Sequence, residues 1–250
     1  MSDKVLVGAA AIVTGSARNM GRMIALNLAS AGASVLINGR TSVDAAEAVA
    51  DEIRAAGSTA IVHMADVTDP DQVSGMVDAA ATAFGRLDIL VNNVSNRLAK
   101  PITEIELDEW RGVIASTLDG AFLCSRAAIP WLEKSDRACI VNIGGVSGHA
   151  GVKNRTVVAA AKAGLVGLTG SLAAELAARD ITVNCVAPGH IEHSAEPGRL
   201  SQHFIDKPIP LDRAGSPEDI AAVVSLLCGP RGRFITGETI HVNGGWHIAT

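Results

Sequence analysis

Short runs rich in β-branched residues alternate with longer alanine-rich segments along the chain, and this alternation limits the fold more than any other feature. The strand candidates are Val5–Val13, Ser34–Asn38, Thr59–Met64, Asp88–Asn92, Ala138–Ile143, Thr182–Ala187 and Thr239–Val242. Each is nearly all apolar, as expected of a strand covered on both faces. Helical periodicity occupies Met20–Ala31, Val43–Ala56, Asp71–Phe84, Glu104–Leu132, Thr156–Ala178 and Pro217–Leu227. Ser216-Pro217-Glu218-Asp219 and Asp69-Pro70-Asp71 each put a capping side chain, a proline and an acid in the order that starts a helix. Repeated βα units of this kind predict an α/β fold, a doubly wound parallel sheet of about seven strands with right-handed crossovers.

No linker or shift in composition divides the 250 residues, so a single domain spanning 1–250 is expected. One stretch, His190 to Gly215, lacks periodicity and is too long for an ordinary connection. It follows the carboxyl end of a strand, where open α/β sheets bind ligands, and reads as a substrate lid over 190–215.

With 48% apolar and 19% charged residues, disorder and collagen-like structure are excluded. The net charge of −5 comes without a basic tract, which argues against nucleic acid as a partner. The cysteines (Cys124, Cys139, Cys185, Cys228) stand apart in apolar stretches, where a thiol acts as a small buried hydrophobe. Zinc or disulfide frameworks are not expected, and a reduced, cytoplasmic setting fits. Lys4 and the apolar run after it have the outline of a secretory leader, but the run ends in Thr14-Gly15-Ser16 and reads as a buried strand. No uninterrupted apolar run reaches the ~18 residues of a membrane span, so no membrane partner is expected.

The first strand leads into Thr14-Gly15-Ser16-Ala17-Arg18-Asn19-Met20-Gly21. Glycines there allow a tight turn and let a pyrophosphate approach backbone amides at a helix start. Asp66-Val67 follows the third strand, Asn92-Asn93-Val94-Ser95 the fourth, and Pro188-Gly189 the sixth. Lys162 lies early in the helix after the fifth, and Thr236-Gly237-Glu238 leads to Val242-Asn243-Gly244-Gly245-Trp246. In this order and spacing the chain resembles the short-chain dehydrogenase/reductase family along nearly its whole length.

The resemblance implies a Rossmann-type dinucleotide-binding domain. The family's T-G-x-x-x-G-x-G motif is matched at Thr14, Gly15 and Gly21, with Asn19 in place of the middle glycine. Ser16, Arg18 and Met20 complete that turn. Asp66 and Val67 would meet the adenine, Asn93 and Val94 the adenosine side, and Pro188, Gly189 and Ile191 the nicotinamide side. NAD-users of the family place an acid at the end of the second strand. Here that end reads Asn38-Gly39-Arg40, so no carboxylate repels a 2′-phosphate and the Arg40 fork could pair with one. NADP(H) is therefore expected in preference to NAD(H).

The family's catalytic group is a tetrad of Asn, Ser, Tyr and Lys. The chain contains no tyrosine at all. Its Y-x-x-x-K position reads Val158-Ala159-Ala160-Ala161-Lys162, the serine position is Gly145, and the asparagine position is Thr117. Only Lys162 is retained, with ribose binding as its implied job. Positioned acid–base catalysis contributes ~10²–10⁴-fold, so the family's carbonyl chemistry cannot run here unchanged. Ser147, His149 and His190 are the candidate replacements, a histidine because it titrates near neutrality. Gly145, Val158, Asn96, Arg97 and His193 are expected to line the substrate pocket. His190 and His193 have metal-compatible spacing but no evident third ligand, so no metal site is expected.

Three function classes follow. The first is an NADP(H)-dependent oxidoreductase for a small molecule, with a non-standard proton donor. The second is a non-redox lyase, hydratase or isomerase in the same pocket, and the third a catalytically silent nucleotide-binding or assembly subunit. The resemblance also implies a homodimer or homotetramer built on the helices at Glu104–Leu132 and Thr156–Ala178.

Overall fold

The computed structural model describes residues 4–192 and 207–248. Its centre is a seven-stranded sheet in the order β3-β2-β1-β4-β5-β6-β7, with every neighbouring pair parallel. The strands are β1 (Ala10–Val13), β2 (Ser34–Gly39), β3 (Ala60–Met64), β4 (Ile89–Asn92), β5 (Cys139–Ile143), β6 (Thr182–Pro188) and β7 (Thr239–Val242). The helices are α1 (Asn19–Ser30), α2 (Val43–Ala55), α3 (Pro70–Phe84), α4 (Leu107–Ile114), α5 (Gly120–Leu132), α6 (Thr156–Leu176) and α7 (Pro217–Cys228). Strand order reverses between β1 and β4, and that switch point is where an open α/β sheet forms a ligand crevice.

Alternating side chains on each strand divide the core into two layers. Ala11, Val13, Val35 and Ile37 pack with Ile24 and Leu28 of α1 and Val224 of α7. Ile12, Leu36 and Leu90 point the other way, against Val77 of α3 and Cys124 and Leu132 of α5. All four cysteines are buried free thiols, and burial pushes the Cys124 thiol up to about 12. The helix starts read from sequence hold in detail: Asp69 accepts from the amides of Asp71 and Gln72, and Ser216 from that of Asp219.

Two elements differ from the sequence expectation. Strand β1 covers only the last part of Val5–Val13, because residues 5–8 form a turn with Gly8 at φ 75°. A left-handed residue cannot continue an extended strand. The helix expected over Glu104–Leu132 is divided. It starts at Leu107, where the Glu109 carboxylate accepts from the Glu106 amide at 3.0 Å, and residues Ala115–Asp119 form a π-helical turn between α4 and α5. By length and composition, residues Leu107–Leu132 and Thr156–Arg179 are apolar enough to cross a membrane, a property shared by helices that cover a parallel sheet.

At the amino end of the sheet, Asp88 is fully buried. It accepts from the Ala10 amide at 2.7 Å, from the Ser135 hydroxyl and from Arg86 through two nitrogens. Removing one member of such a network leaves buried donors unpaired. Asp88→Ala is expected to cost ~3 kcal/mol, read in thermal unfolding as a Tm lower by roughly 6–12 °C. A shift under about 2 °C would show that the network contributes little.

Candidate active site

The turn between β1 and α1 is held by side chains from two other strands. Thr14 Oγ1 accepts from the Asn93 amide at 3.0 Å, and Asn93 Nδ2 donates to the carbonyls of Thr14 and Gly15 at 2.9 and 3.1 Å. Ser16 Oγ donates to the Val13 carbonyl at 2.7 Å and accepts from the Asn38 amide at 3.0 Å. Sequence reasoning missed the Asn38 side chain. It is buried, accepts from the Gly15 amide at 3.1 Å and donates to the carbonyls of His63 and Ala65, both at 3.2 Å. Its only sequence signal was a polar residue ending an otherwise apolar strand.

Backbone geometry accounts for the residue types here. Gly15 has φ 61°, and a Cβ on Gly21 would fall 2.4 Å from the Gly15 carbonyl oxygen. Asn19, at the middle-glycine position, has φ 52°. Asparagine is among the few side chains that enter the left-handed region readily, so the turn keeps a glycine-like path. Nothing caps the start of α1: Arg18 at the N-cap makes no capping bond and the first turn holds no acid. Its amides and dipole are thus directed at the crevice, which fits a dinucleotide phosphate.

The end of β2 is cationic. Arg18 donates to the Ser42 hydroxyl, and Arg40, 71% exposed, stands 3.6 Å from the Asp66 carboxylate. Asp66 accepts from the Thr68 amide and hydroxyl at 2.9 and 2.8 Å. Those bonds, led by the amide and assisted by Arg40, hold its carboxyl below the usual range. Val67 and Val94 line a small cavity with Thr14 and Thr117.

On the catalytic side, Lys162 reaches from α6 to β5. Its Nζ donates to the Ile143 carbonyl at 2.7 Å. Burial pushes its pKa down to about 8, with Arg97 adding to the shift and Cys185 opposing it. Gly145 has extended backbone at φ 167°, and a Cβ there would stand 3.8 Å from Ser147 Oγ and 3.9 Å from Lys162 Cγ. The Ser147 hydroxyl therefore lies beside the place a serine at 145 would fill. Val158 is buried against Val113, Val157 and Ala161, under Leu98, Ile105 and Trp110, and forms an apolar wall. Thr117 sits in the π-helical turn with its Oγ1 buried and unpartnered among the described residues.

Arg97, Arg155, Lys162 and His190 share one electrostatic neighbourhood. Arg97 is solvent-accessible, yet the crowding of the cleft and, second, the Arg155 charge lower its pKa. For His190, partial burial lowers the pKa, Glu192 opposes and Arg97 adds to the effect. Asn96 is exposed beside Arg97. Ile191 bridges in parallel to Gly215. His193 and the residues through 206, the middle of the stretch expected to be a lid, lie outside the described residues. Gly189 donates to the Val242 carbonyl at 2.9 Å, and a Cβ on it would stand 2.8 Å from Asn243 Cα, so Pro188-Gly189 lies against the start of the C-terminal turn. The His149 ring packs on His241 and His247, with centroids 4.4 and 5.8 Å away.

Residues 15–247 match the family model described as enoyl-(acyl carrier protein) reductase. The chain is 40% identical over 241 residues to a 3-oxoacyl-[acyl-carrier-protein] reductase of Staphylococcus aureus, covering 95% of this chain and 98% of that protein. The chain belongs to the short-chain dehydrogenase/reductase family. Among solved structures, a short-chain dehydrogenase from Burkholderia cenocepacia in complex with NADP superposes with a TM-score of 0.92 at 35% identity, over 97% of this chain and 99% of that one. A blue fluorescent protein from a metagenomic library, in complex with NADPH, gives 0.92 at 35% identity over 98% of this chain and all of the other.

Proposed function

We propose that the protein is an NADP(H)-dependent oxidoreductase for a small molecule, in which Ser147 and the Arg97–Lys162 charge pair replace the family's missing hydroxyls. The position of Ser147 Oγ, 3.8 Å from where a side chain at Gly145 would begin, carries this reading. NADPH supplies a hydride when bound. The chain's own residues then face the negative charge that reduction leaves on the substrate. Ser147 donates a hydrogen bond to it, the cationic Arg97 and Lys162 stabilise it, and a proton relayed from solvent through His190 completes the product. His190 stands in the same field, and the imidazole that burial favours as neutral is the form that accepts a proton in the reverse reaction. Val158 and Trp110 supply an apolar flank, so a substrate with an apolar body and a reducible C=O, C=C or C=N group fits. Relatives such as the 3-oxoacyl-[acyl-carrier-protein] reductases support the oxidoreductase class.

Binding of the adenosine end falls to Asp66, Asn93 and Val94, and phosphate binding to the uncapped start of α1. Arg18 and Arg40 at the end of β2 support selection of the 2′-phosphate, as do the relatives solved with NADP and NADPH. A homodimer or homotetramer through α5 and α6 accords with the family. The outer face of α6 is formed by small residues, Ala160, Ala163, Gly167 and Gly170, which permit close helix approach.

Protein mixed with 4-deuterated NADPH and a panel of carbonyl, enone and imine substrates is expected to transfer deuterium to product. Arg40→Ala is expected to weaken NADPH binding at least tenfold, the size of one charge-assisted hydrogen bond, and to leave NADH binding unchanged. Equal effects on both nucleotides would remove the 2′-phosphate assignment. The lowered pKa of Lys162 favours one second reading, a lyase or isomerase with this amine as pocket base; turnover that persists without nucleotide would establish it over the first.

A further inference from the structure

The chain carries a second cluster of chemistry-bearing side chains that the redox reading does not use. His149 follows the 3₁₀ turn Val146–Gly148 after β5, and its amide donates to the Val146 carbonyl at 3.0 Å. His241 lies on β7, paired in register with Ala187 of β6. His247 is brought back over β7 by the turn at Asn243-Gly244-Gly245, whose glycines have φ 63° and 84°. Asn243 fixes that turn from within: its Oδ1 accepts from the Gly245 amide and its Nδ2 donates to the His247 carbonyl, both at 2.9 Å. Trp246 packs against Val146 and so ties the turn to the loop that bears His149.

One ring nitrogen from each of the three histidines lies within 4.8 Å of the other two. The three rings are half-buried, and the His241 and His247 centroids stand 4.9 Å apart. His149 Nε2 and His241 Nδ1 are buried with no hydrogen-bond partner among the described residues. Buried polar atoms of this kind destabilise a fold when nothing replaces their water. A purely structural cluster would be expected to pair these nitrogens with carbonyls or carboxylates.

We propose that His149, His241 and His247 form a binding site for a borderline divalent transition metal, of the Zn²⁺, Co²⁺ or Ni²⁺ kind. Three imidazoles are the donor set such ions take when a fourth position stays open to solvent. In a tetrahedral site with Zn–N of about 2.0–2.1 Å, ligand nitrogens stand ~3.3 Å apart, so the rings need close by no more than ~1.5 Å. The bound ion would tether three separate segments: the loop after β5, the edge strand β7 and the C-terminal turn. The proposal holds whether or not the Ser147–Lys162 centre transfers hydride.

The test uses purified full-length protein, stripped with a chelator and titrated with Co²⁺ and with Zn²⁺. The expected result is one ion per chain, a visible cobalt spectrum of low-symmetry tetrahedral or five-coordinate type, and a rise in Tm with either metal. His241→Ala and His247→Ala are each expected to weaken binding at least tenfold, while His63→Ala on β3 leaves it unchanged. Should a variant fold poorly, the conservative His247→Gln decides by the same cobalt readout. Sub-stoichiometric binding, a purely octahedral aqua-like spectrum, or affinity unchanged by these variants would overturn the site.

Discussion

Ser147→Ala is expected to slow hydride transfer ~10²–10³-fold while NADPH affinity stays within twofold of wild type, the signature of one lost donor to a developing oxyanion. The split follows from position. Ser147 Oγ stands beside Gly145 and Lys162, whereas the turn proposed for the adenosine and phosphate groups is built from β1, β2 and β4. Gly145 offers a second arm. Its backbone is extended, and an added Cβ meets only ordinary contacts at 3.8 and 3.9 Å. Gly145→Ser should therefore fold normally and restore a hydroxyl near the same point, recovering at least tenfold in the Ser147→Ala background. Single-turnover rates with deuterated NADPH measure both. A Ser147→Ala rate equal to wild type would shift the donor role to His190, and no recovery on adding Ser at 145 would show that the hydroxyl does not act from that side.

Lys162→Met is expected to make the folded protein more stable and the enzyme much slower. Burial drives the Lys162 pKa from its ordinary value down to about 8. The sign follows from proton binding. Below pH 8 the folded and unfolded chains both carry the proton, and the cost of burying the charge is fully present. Between pH 8 and the ordinary lysine range, the folded chain loses the proton first, so wild-type stability is relieved as pH rises. Methionine removes the buried charge at every pH and loses one hydrogen bond to the Ile143 carbonyl. The net gain at pH 7 is about 2 kcal/mol, which corresponds to a Tm higher by roughly 4–8 °C. The gain should shrink above pH 8, where wild type no longer holds the charge. Turnover should fall ~10²-fold, and in the wild type the reduction rate should decline as pH rises through about 8. A variant that melts below wild type at pH 7 would show that the Nζ contact with β5 outweighs the buried charge.

Much of the frame was legible because it depends on local pattern. The apolar runs at Ser34–Asn38 and Ala138–Ile143 could only be strands covered on both faces, and Ser216-Pro217-Glu218-Asp219 could only begin a helix. Lys162 was legible because the spacing of motifs around it fixed its place. What stayed hidden depends on tertiary approach or on subtle backbone competition. Gly8 shortens β1 through a turn that apolar content alone does not betray. Glu109 delays α4 by capping the Glu106 amide, and the π-helical turn around Thr117 leaves no trace in periodicity. The histidine at 149 looked like a pocket residue because it follows β5, yet the turn at 243–245 supplies it with two ring partners nearly a hundred residues away. His190 and His193 drew attention for metal binding through sequence spacing, whereas the three histidines that meet in space have no sequence spacing in common.

The Asn38 side chain supports the glycine turn from the end of β2 without calling on the exposed residues that follow it. By bonding to Gly15, His63 and Ala65, it clamps the glycine turn and β3 with no help from positions 40 and 42. Those positions are therefore interchangeable parts on a fixed mount. A Cβ at position 39 would press only on the methyl end of Met64, at 3.2 Å, which can swing aside. Residues at this strand end, the exposed Arg40 among them, are thus open to redesign or evolutionary drift while the turn beneath them stays in place.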